Sequence, residues 1–194
     1  MKISKEELKN ILITKDNIKT LEKRDNKSYN IKKLLSNNNI DQSQSIRFGN
    51  LFQDFIMKSI KMAGGEIIDI GYINVTDKEV NNSRNNKDKK DIDILFKYDN
   101  ITYYYEVKTN LNLDSEKYKA TDVKVKEITR ALIANNHDPK IKHSILTCWY
   151  ENEYKLPIKV KTNITFMKDI FKILNIDCNK EDYYTLMKEF GEKI

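Results

Sequence analysis

The sequence predicts a mixed α/β fold, and three patterns in its central part support that class. Apolar residues recur at helical spacing over residues 43–63. Two runs rich in β-branched and aromatic residues, 91–98 and 101–108, follow with two residues between them, as in a β-hairpin. A second amphipathic helix is indicated over residues 115–135, with Asp114 or Ser115 as its cap. We therefore expect a sheet with helices packed against it.

Composition is typical of a folded protein with a polyanionic partner. Charged residues make up 33% of the 194 residues and hydrophobic residues 39%, which argues against a disordered or membrane-embedded chain. A single domain is expected at this length. The formal charge of +6 and the isoelectric point near 9.0 favour binding to phosphates. The first residues, MKISKEELKN, lack the apolar run of a secretory signal, so we expect a cytoplasmic protein with no membrane partner.

The outer parts of the chain have helical patterns. Residues 1–40 carry short apolar periods separated by lysine and asparagine, and we expect this N-terminal helical segment to make dimer or DNA contacts. Residues 43–150 are predicted to be the core of the domain. Residues 151–194 are predicted to be a C-terminal helical segment, with helices over 163–174 and 180–190.

Two further strands and one loop are predicted within the core. Gly64 and Gly65 should end the first long helix, because glycine is the usual residue beyond a helix C-terminus. Residues 67–75 have the pattern of a strand, and residues 76–90 are polar without periodicity, as in a surface loop. A last strand is indicated over residues 143–150.

The register of the hairpin can be derived from its turn. Asp99 and Asn100 tolerate the positive φ angles that two-residue hairpin turns require. If they are the two turn residues, the numbers of paired positions sum to 199. Asp93 then lies opposite Glu106.

The same register places Asp91 opposite Lys108 and brings two carboxylates and a lysine to one patch. Carboxylates that face each other across strands repel, unless a divalent cation lies between them. Asp91 is an alternative to Asp93 as the metal ligand. We favour Asp93 because it faces Glu106, and Asp91 could instead tune Lys108. Phosphodiester hydrolysis needs such a metal ion and a group that orients or activates water.

These residues resemble the motif of the PD-(D/E)XK nuclease superfamily. Asp93 in DIDILF matches its Asp, and Glu106 and Lys108 in YYYEVK match its Glu-x-Lys. Over residues 46–150 the resemblance implies an αβββαβ core, a central mixed sheet flanked by helices as in restriction endonucleases. It also implies Mg²⁺, for which Mn²⁺ can substitute, held by Asp93, Glu106 and the main-chain carbonyl of Val107.

One position departs from that pattern. Family members often carry a Glu on the preceding helix, four residues after a glycine, and this chain has Gln53 four residues after Gly49. Gln53 could accept a metal-bound water through its amide oxygen, and it is included among the predicted catalytic residues. Asp54 keeps the charge but points about 100° away around the helix. Gln53 is therefore ranked first.

The chain has further polar and aromatic residues, for which we predict either binding or structural roles. Lys119, Lys124 and Lys126 on the second helix are candidates for phosphate contacts. Tyrosines 103–105 are assigned to packing, because aromatic residues in a central strand are most often core. The two cysteines and two histidines offer neither a disulfide framework nor a four-ligand zinc site. Structural roles are therefore assigned to them, and also to two aromatic residues: Cys148, Cys178, His137, His143, Trp149 and Tyr150.

The resemblance implies a Mg²⁺-dependent endodeoxyribonuclease that cuts double-stranded DNA. We favour a type II restriction endonuclease, because the N- and C-terminal helical segments exceed a minimal resolvase and could supply dimer and base contacts. A palindromic site would then require a homodimer. A Holliday-junction resolvase or a repair nicking enzyme is the alternative within the superfamily. An alternative of another class is a DNA-binding protein without catalysis, which the Gln at position 53 suggests.

Overall fold

The computed structural model describes residues 3–15, 17, 31–37, 40, 42–75, 89–111, 115–135, 139–152 and 161–193. It has a mixed α/β fold with a central mixed sheet between helices. Residues 76–88 of the predicted loop, His137 and Asp114 lie outside the described residues.

Helices cover both faces of the sheet. Within the described residues they are α1 (Lys5–Leu12), α2 (Ile31–Leu34), α3 (Gln42–Met62), α4 (Ser115–Ala134), α5 (Met167–Ile173) and α6 (Lys180–Gly191). The helices predicted over 43–63, 115–135 and 180–190 are confirmed. The helix predicted from residue 163 begins later, because the residues before it form a strand.

The strands form one large sheet and two small ones. In the described residues they are β1 (Ile3–Ser4), β2 (Glu66–Ile67), β3 (Tyr72–Asn74), β4 (Lys89–Asp91), β5 (Ile94–Tyr98), β6 (Ile101–Val107), β7 (Lys142–Leu146), β8 (Ile164–Thr165) and β9 (Ile176–Asp177). The central sheet has the order β2-β5-β6-β7-β8. Pairing is antiparallel from β2 to β6 and parallel from β6 to β8. Apart from the β3–β4 ribbon, the order α3, β2, β5, β6, α4, β7 is the predicted one.

The turn between β5 and β6 sets the register of the site. Asp99 and Asn100 have φ angles of 48° and 59°, as a type I′ turn requires. The pairs run from Tyr98 with Ile101 to Ile94 with Tyr105, so their numbers sum to 199. The predicted hairpin register is confirmed over these pairs.

Two strands predicted as continuous are in fact interrupted. The strand predicted over 67–75 is divided into β2 and β3, and Gly71 between them has a φ of 68° that favours glycine. The strand predicted over 91–98 is divided into β4 and β5. The N–H of Ile92 donates to the carbonyl of Gly71 at 3.1 Å, because this part of the chain leaves β6 and pairs with β3. Both predictions were wrong at the same place, where the β3–β4 ribbon separates from the sheet.

The sheet lies between two hydrophobic cores. The larger one joins α1, α2, α3, α5 and α6 to the sheet face that carries Phe96, Tyr103 and Tyr105. The smaller one joins α4 and β3 to the opposite face, with Leu95 and Tyr104. All three tyrosines are buried, so their assignment to packing is confirmed.

The N-terminal segment packs into the larger core. Leu8 and Leu12 of α1 and Ile31 and Leu34 of α2 are buried together with α3. Ser4 caps α1 in a capping box, and its side-chain oxygen accepts the N–H of Glu7. The described part of the segment therefore helps to build the domain core. Its predicted dimer or DNA contacts stay a prediction.

Candidate functional site

The candidate site lies where β5 leaves β6. One step beyond the last pair, Ile94 with Tyr105, the same register would place Asp93 opposite Glu106. In a continued ladder the N–H of Val107 would bind the carbonyl of residue 92. Here it donates to Oδ2 of Asp93 at 2.8 Å. The Asp93 carboxylate is thus fixed beside the end of β6 by a main-chain hydrogen bond.

Glu106 is the most enclosed charged group of the site. Its side chain is only 1% exposed, and both of its oxygens are engaged. Oε1 lies 2.7 Å from Nζ of Lys108, whereas Oε2 lies 2.7 Å from Nζ of Lys124 and accepts the Tyr104 hydroxyl at 3.1 Å. Burial raises the pKa of Glu106, but the two lysine charges and their hydrogen bonds outweigh it and hold that pKa below its ordinary value. Glu106 is therefore a carboxylate at neutral pH.

Asp93 shows the opposite shift. Burial raises its pKa, and the negative charge of Glu106 raises it further, while Lys124, the Val107 N–H and Lys108 act against this. The net pKa lies above its ordinary value. The raised pKa shows that the negative charge of Glu106 disfavours a second negative charge on Asp93. An added cation would stabilise both carboxylates in their charged form.

Lys124 contacts both carboxylates. Its Nζ lies 2.7 Å from Oε2 of Glu106 and 3.6 Å from Oδ1 of Asp93. Burial lowers the pKa of Lys124, but the charges of Glu106 and Asp93 outweigh it and hold that pKa above its ordinary value. Its side chain is therefore a cation that points into the site, whereas Lys119 and Lys126 are exposed on α4.

The position of Lys124 separates it from Lys119 and Lys126, with which it was predicted as a candidate for phosphate contacts. Lys124 is three residues after Thr121 and four before Ile128, and both of these are buried. The exposed Lys126 has the same kind of relation to the buried Asp122 and Thr129, so helical spacing alone does not single out Lys124. The three lysines were grouped by charge alone. Phosphate contacts by Lys119 and Lys126 stay a prediction.

Gln53 reaches the site from α3. Its amide nitrogen donates a short hydrogen bond to the main-chain carbonyl of Asp93. Asp54 is exposed, so of these two neighbours Gln53 is the one directed at the site. The observed bond supports the chain at Asp93. The predicted water contact through the amide oxygen stays a prediction.

Asp91 does not face Lys108, and that part of the predicted register was wrong. Asp91 pairs with Tyr72 in the β3–β4 ribbon and is exposed. The backbone N–H of Lys108 donates to the carbonyl of Leu146 on the other neighbouring strand. Asp91 lies close enough to Lys124 for its negative charge to help raise the pKa of that lysine.

The metal-binding capacity of the site is limited to few protein ligands. Within the described residues, no group of three or more His, Cys, Asp or Glu side chains could hold a metal ion. Asp93 and Glu106 are a pair of hard oxygen donors. Mg²⁺ is commonly bound by one or two carboxylates, several waters and substrate phosphates, so the pair fits this ion. The carbonyl of Val107 is the further predicted ligand, and that role stays a prediction.

A cleft of about 350 Å³ opens beside Asp93. Gln53 and Asp93 line it together with Lys61, an exposed cation on α3. Gly71 and Ile92, where the ribbon leaves the sheet, form another part of its wall. Asp93 is therefore approachable from solvent, with its side chain 19% exposed.

The remaining candidates lie in other surroundings. Cys148 and Cys178 are buried and unpaired, and burial raises the pKa of each thiol to about 12, so both are protonated core residues as predicted. His143 is exposed on β7, while Trp149 and Tyr150 are half-buried against the larger core.

Comparison with known proteins adds no assignment to this geometry. No family model matches the chain, and neither a curated protein nor a solved structure is significantly similar to it. No helix in the described part of the chain combines the length and apolarity needed to cross a bilayer.

Proposed function

We propose that this protein is a Mg²⁺-dependent endodeoxyribonuclease that cuts double-stranded DNA at a specific sequence, as type II restriction endonucleases do. The observation that carries the proposal is the pair of Asp93 and Glu106 at the end of one hairpin, with Nζ of Lys108 2.7 Å from Glu106. The net charge of +6 supports a polyanionic substrate.

Each residue of the group has a role in this proposal. When bound, Mg²⁺ would polarise a phosphoryl oxygen and stabilise the charge that develops on it. Asp93 and Glu106 would hold the ion, and Tyr104 and Val107 keep their carboxylates in place through hydrogen bonds. In the reaction a water oxygen bonds to phosphorus and gives up a proton to solvent while the opposite phosphorus–oxygen bond breaks, and the leaving oxygen takes up a proton from solvent.

Lys108 is proposed to orient the attacking water. Its ammonium is anchored to Glu106, yet its side chain is 31% exposed and can donate hydrogen bonds to water or to a phosphate oxygen. Gln53 would act by supporting the main chain at Asp93. A homodimer is proposed because a palindromic DNA site requires two identical cutting centres.

The decisive experiment is incubation of the purified protein with plasmid and genomic DNA in Mg²⁺, Mn²⁺ or EDTA, followed by electrophoresis. Discrete metal-dependent bands are expected. Asp93→Asn should remove them, whereas Asp54→Asn, an exposed neighbour of Gln53, should leave them unchanged. Relaxation of supercoiled plasmid only to open circles would indicate a nicking enzyme. Preference for four-way junctions would indicate a resolvase, and no cleavage in either metal would refute nuclease activity.

A DNA-binding protein without catalysis is the second candidate, and one observation favours it. Lys108 and Lys124 together already balance the two negative charges of the carboxylate pair. If the group served only to fix the fold, the protein would bind DNA equally well with EDTA and with Mg²⁺, and it would cut in neither condition.

A further inference from the structure

The four oxygens of the carboxylate pair are divided among different partners. Oε1 of Glu106 binds Lys108, and Oδ2 of Asp93 accepts the Val107 N–H. The other two oxygens, Oε2 of Glu106 and Oδ1 of Asp93, both face the ammonium of Lys124. Lys124 thus lies on the two oxygens that neither Lys108 nor the Val107 N–H binds.

The balance of charges makes it unfavourable for a divalent metal ion and the Lys124 ammonium to occupy the site together. Asp93 and Glu106 carry two negative charges, and Lys108 and Lys124 carry two positive charges, so the group is neutral. A divalent ion added beside both lysines would give a local charge of plus two at a site where Glu106 is only 1% exposed. Repulsion between cations is strong where water screens poorly. A bound metal and Lys124 therefore compete for the same position.

Resting on the function proposed above, we propose that Lys124 is the resident counterion of the carboxylate pair and that a divalent metal binds by displacing its ammonium. Lysine suits this role, because its charge sits at the end of a flexible four-carbon stem. The Lys124 side chain is 25% exposed, so it has a path toward solvent. Once displaced, the ammonium stays tethered to α4 beside the site, where a phosphate oxygen of the substrate could receive it.

The test is calorimetric titration of the full chain with Mn²⁺ and then Mg²⁺, in the absence of DNA. Lys124→Met should bind the metal about tenfold more tightly, because the competing cation is gone. Lys124→Arg, which keeps a cation, should stay near the wild-type affinity. Lys58→Met removes the same charge from an exposed position on α3 and should also match the wild type. Asp93→Asn should lose the binding and so place the ion at this pair.

Thermal unfolding of each variant is recorded first, and Lys124→Gln replaces Lys124→Met if the latter does not fold. Metal binding by Lys124→Met that is equal to or weaker than that of the wild type would overturn displacement and leave the nuclease proposal standing. If neither the wild type nor the Lys124 variants bind Mn²⁺, the proposed function falls, and the displacement falls with it.

Discussion

The two faces of the central sheet differ in what they bury. The face under α3 packs on aromatic and aliphatic side chains, among them the fully buried Phe52. The face under α4 has its own apolar core, but it also encloses Glu106 and its lysine partners. Neighbouring residues of one strand, Tyr105 and Glu106, point to these two faces. The difference indicates that the α3 face carries most of the apolar packing, while the α4 face holds the buried Glu106, and Gln53 of α3 contacts the site through the main chain of Asp93.

Lys108→Ala should give the largest loss of cleavage. Loss of the group proposed to orient water should reduce DNA cleavage roughly 10³-fold, within the usual range for such groups. DNA binding should change little. Stability should fall by about 1–2 kcal/mol, because the buried Glu106 then keeps Lys124 but loses its contact with Lys108, so rates are compared on protein shown to be folded. Initial rates of plasmid cleavage in Mg²⁺ measure the effect. Lys97→Ala, at an exposed position on β5, is the control. Activity within threefold of the wild type would remove Lys108 from the mechanism.

Phe52→Ala should act on stability alone. Phe52 is buried between Phe48 and Phe55, so its removal leaves a cavity worth about 3–4 kcal/mol of unfolding free energy. Urea unfolding followed by the fluorescence of Trp149, the single tryptophan, measures it. Asp54→Ala, exposed on the same helix, should cost less than about 0.5 kcal/mol. A small loss for Phe52→Ala would mean that the α3 face is not the stabilising one.

Glu106→Gln should lower both DNA cleavage and stability. It therefore tests whether the α4 face contributes to stability as well as to chemistry. The change leaves two partly exposed lysines without their shared carboxylate, at a cost of about 2 kcal/mol in stability. Because the loss comes from unpaired charge, the double variant Glu106→Gln with Lys124→Met should recover part of it. Denaturant unfolding of the two single variants and the double variant completes the cycle. Strict additivity of the two single effects would contradict direct coupling.

Asp122→Asn should have a smaller effect, confined to stability on the α4 side. The Asp122 carboxylate accepts the N–H groups of Lys161 and Thr162, both at 2.9 Å, and an amide would turn a donor toward one of them. We expect a loss of about 1–2 kcal/mol near neutral pH.

The pH dependence of that loss gives a further check. Burial raises the pKa of Asp122, but these hydrogen bonds outweigh it and hold that pKa below its ordinary value of 3.8. The carboxylate therefore adds stability above about pH 4, and this is lost as the pH falls through the lowered value. Unfolding of wild type and Asp122→Asn at pH 7 and pH 3 should show the gap closing in acid. A gap that is constant with pH would exclude the charge as its cause.

The sequence was most informative where local rules decide the structure. Two turn residues, Asp99 and Asn100, set the hairpin register and placed Asp93 next to Glu106. Helical spacing predicted α3 and its stop before Gly64, whose φ is 88°. These features depend on backbone geometry within a few residues.

Features that depend on distant partners could not be predicted in the same way. The departure of β4 from the sheet is set by its pairing with β3, so the pairing of Asp91 with Lys108 was wrongly expected. The sequence predicts only phosphate contacts for Lys124, because its carboxylate partners lie on other elements. Charge alone could not distinguish a lysine that faces solvent from one that neutralises a buried acid.

The divergence of the β3–β4 ribbon from the sheet has a consequence for access. In a continuous ladder the carbonyl of residue 92 would accept the Val107 N–H that Oδ2 of Asp93 accepts here, and β4 would not pair with β3. Because the strands fork at Asp93, the notch between their branches becomes the cleft, and Gly71 and Ile92 line it. The fold thus opens a cleft beside Asp93 by separating two strands, and under the proposed function a single phosphate group of the substrate would enter there.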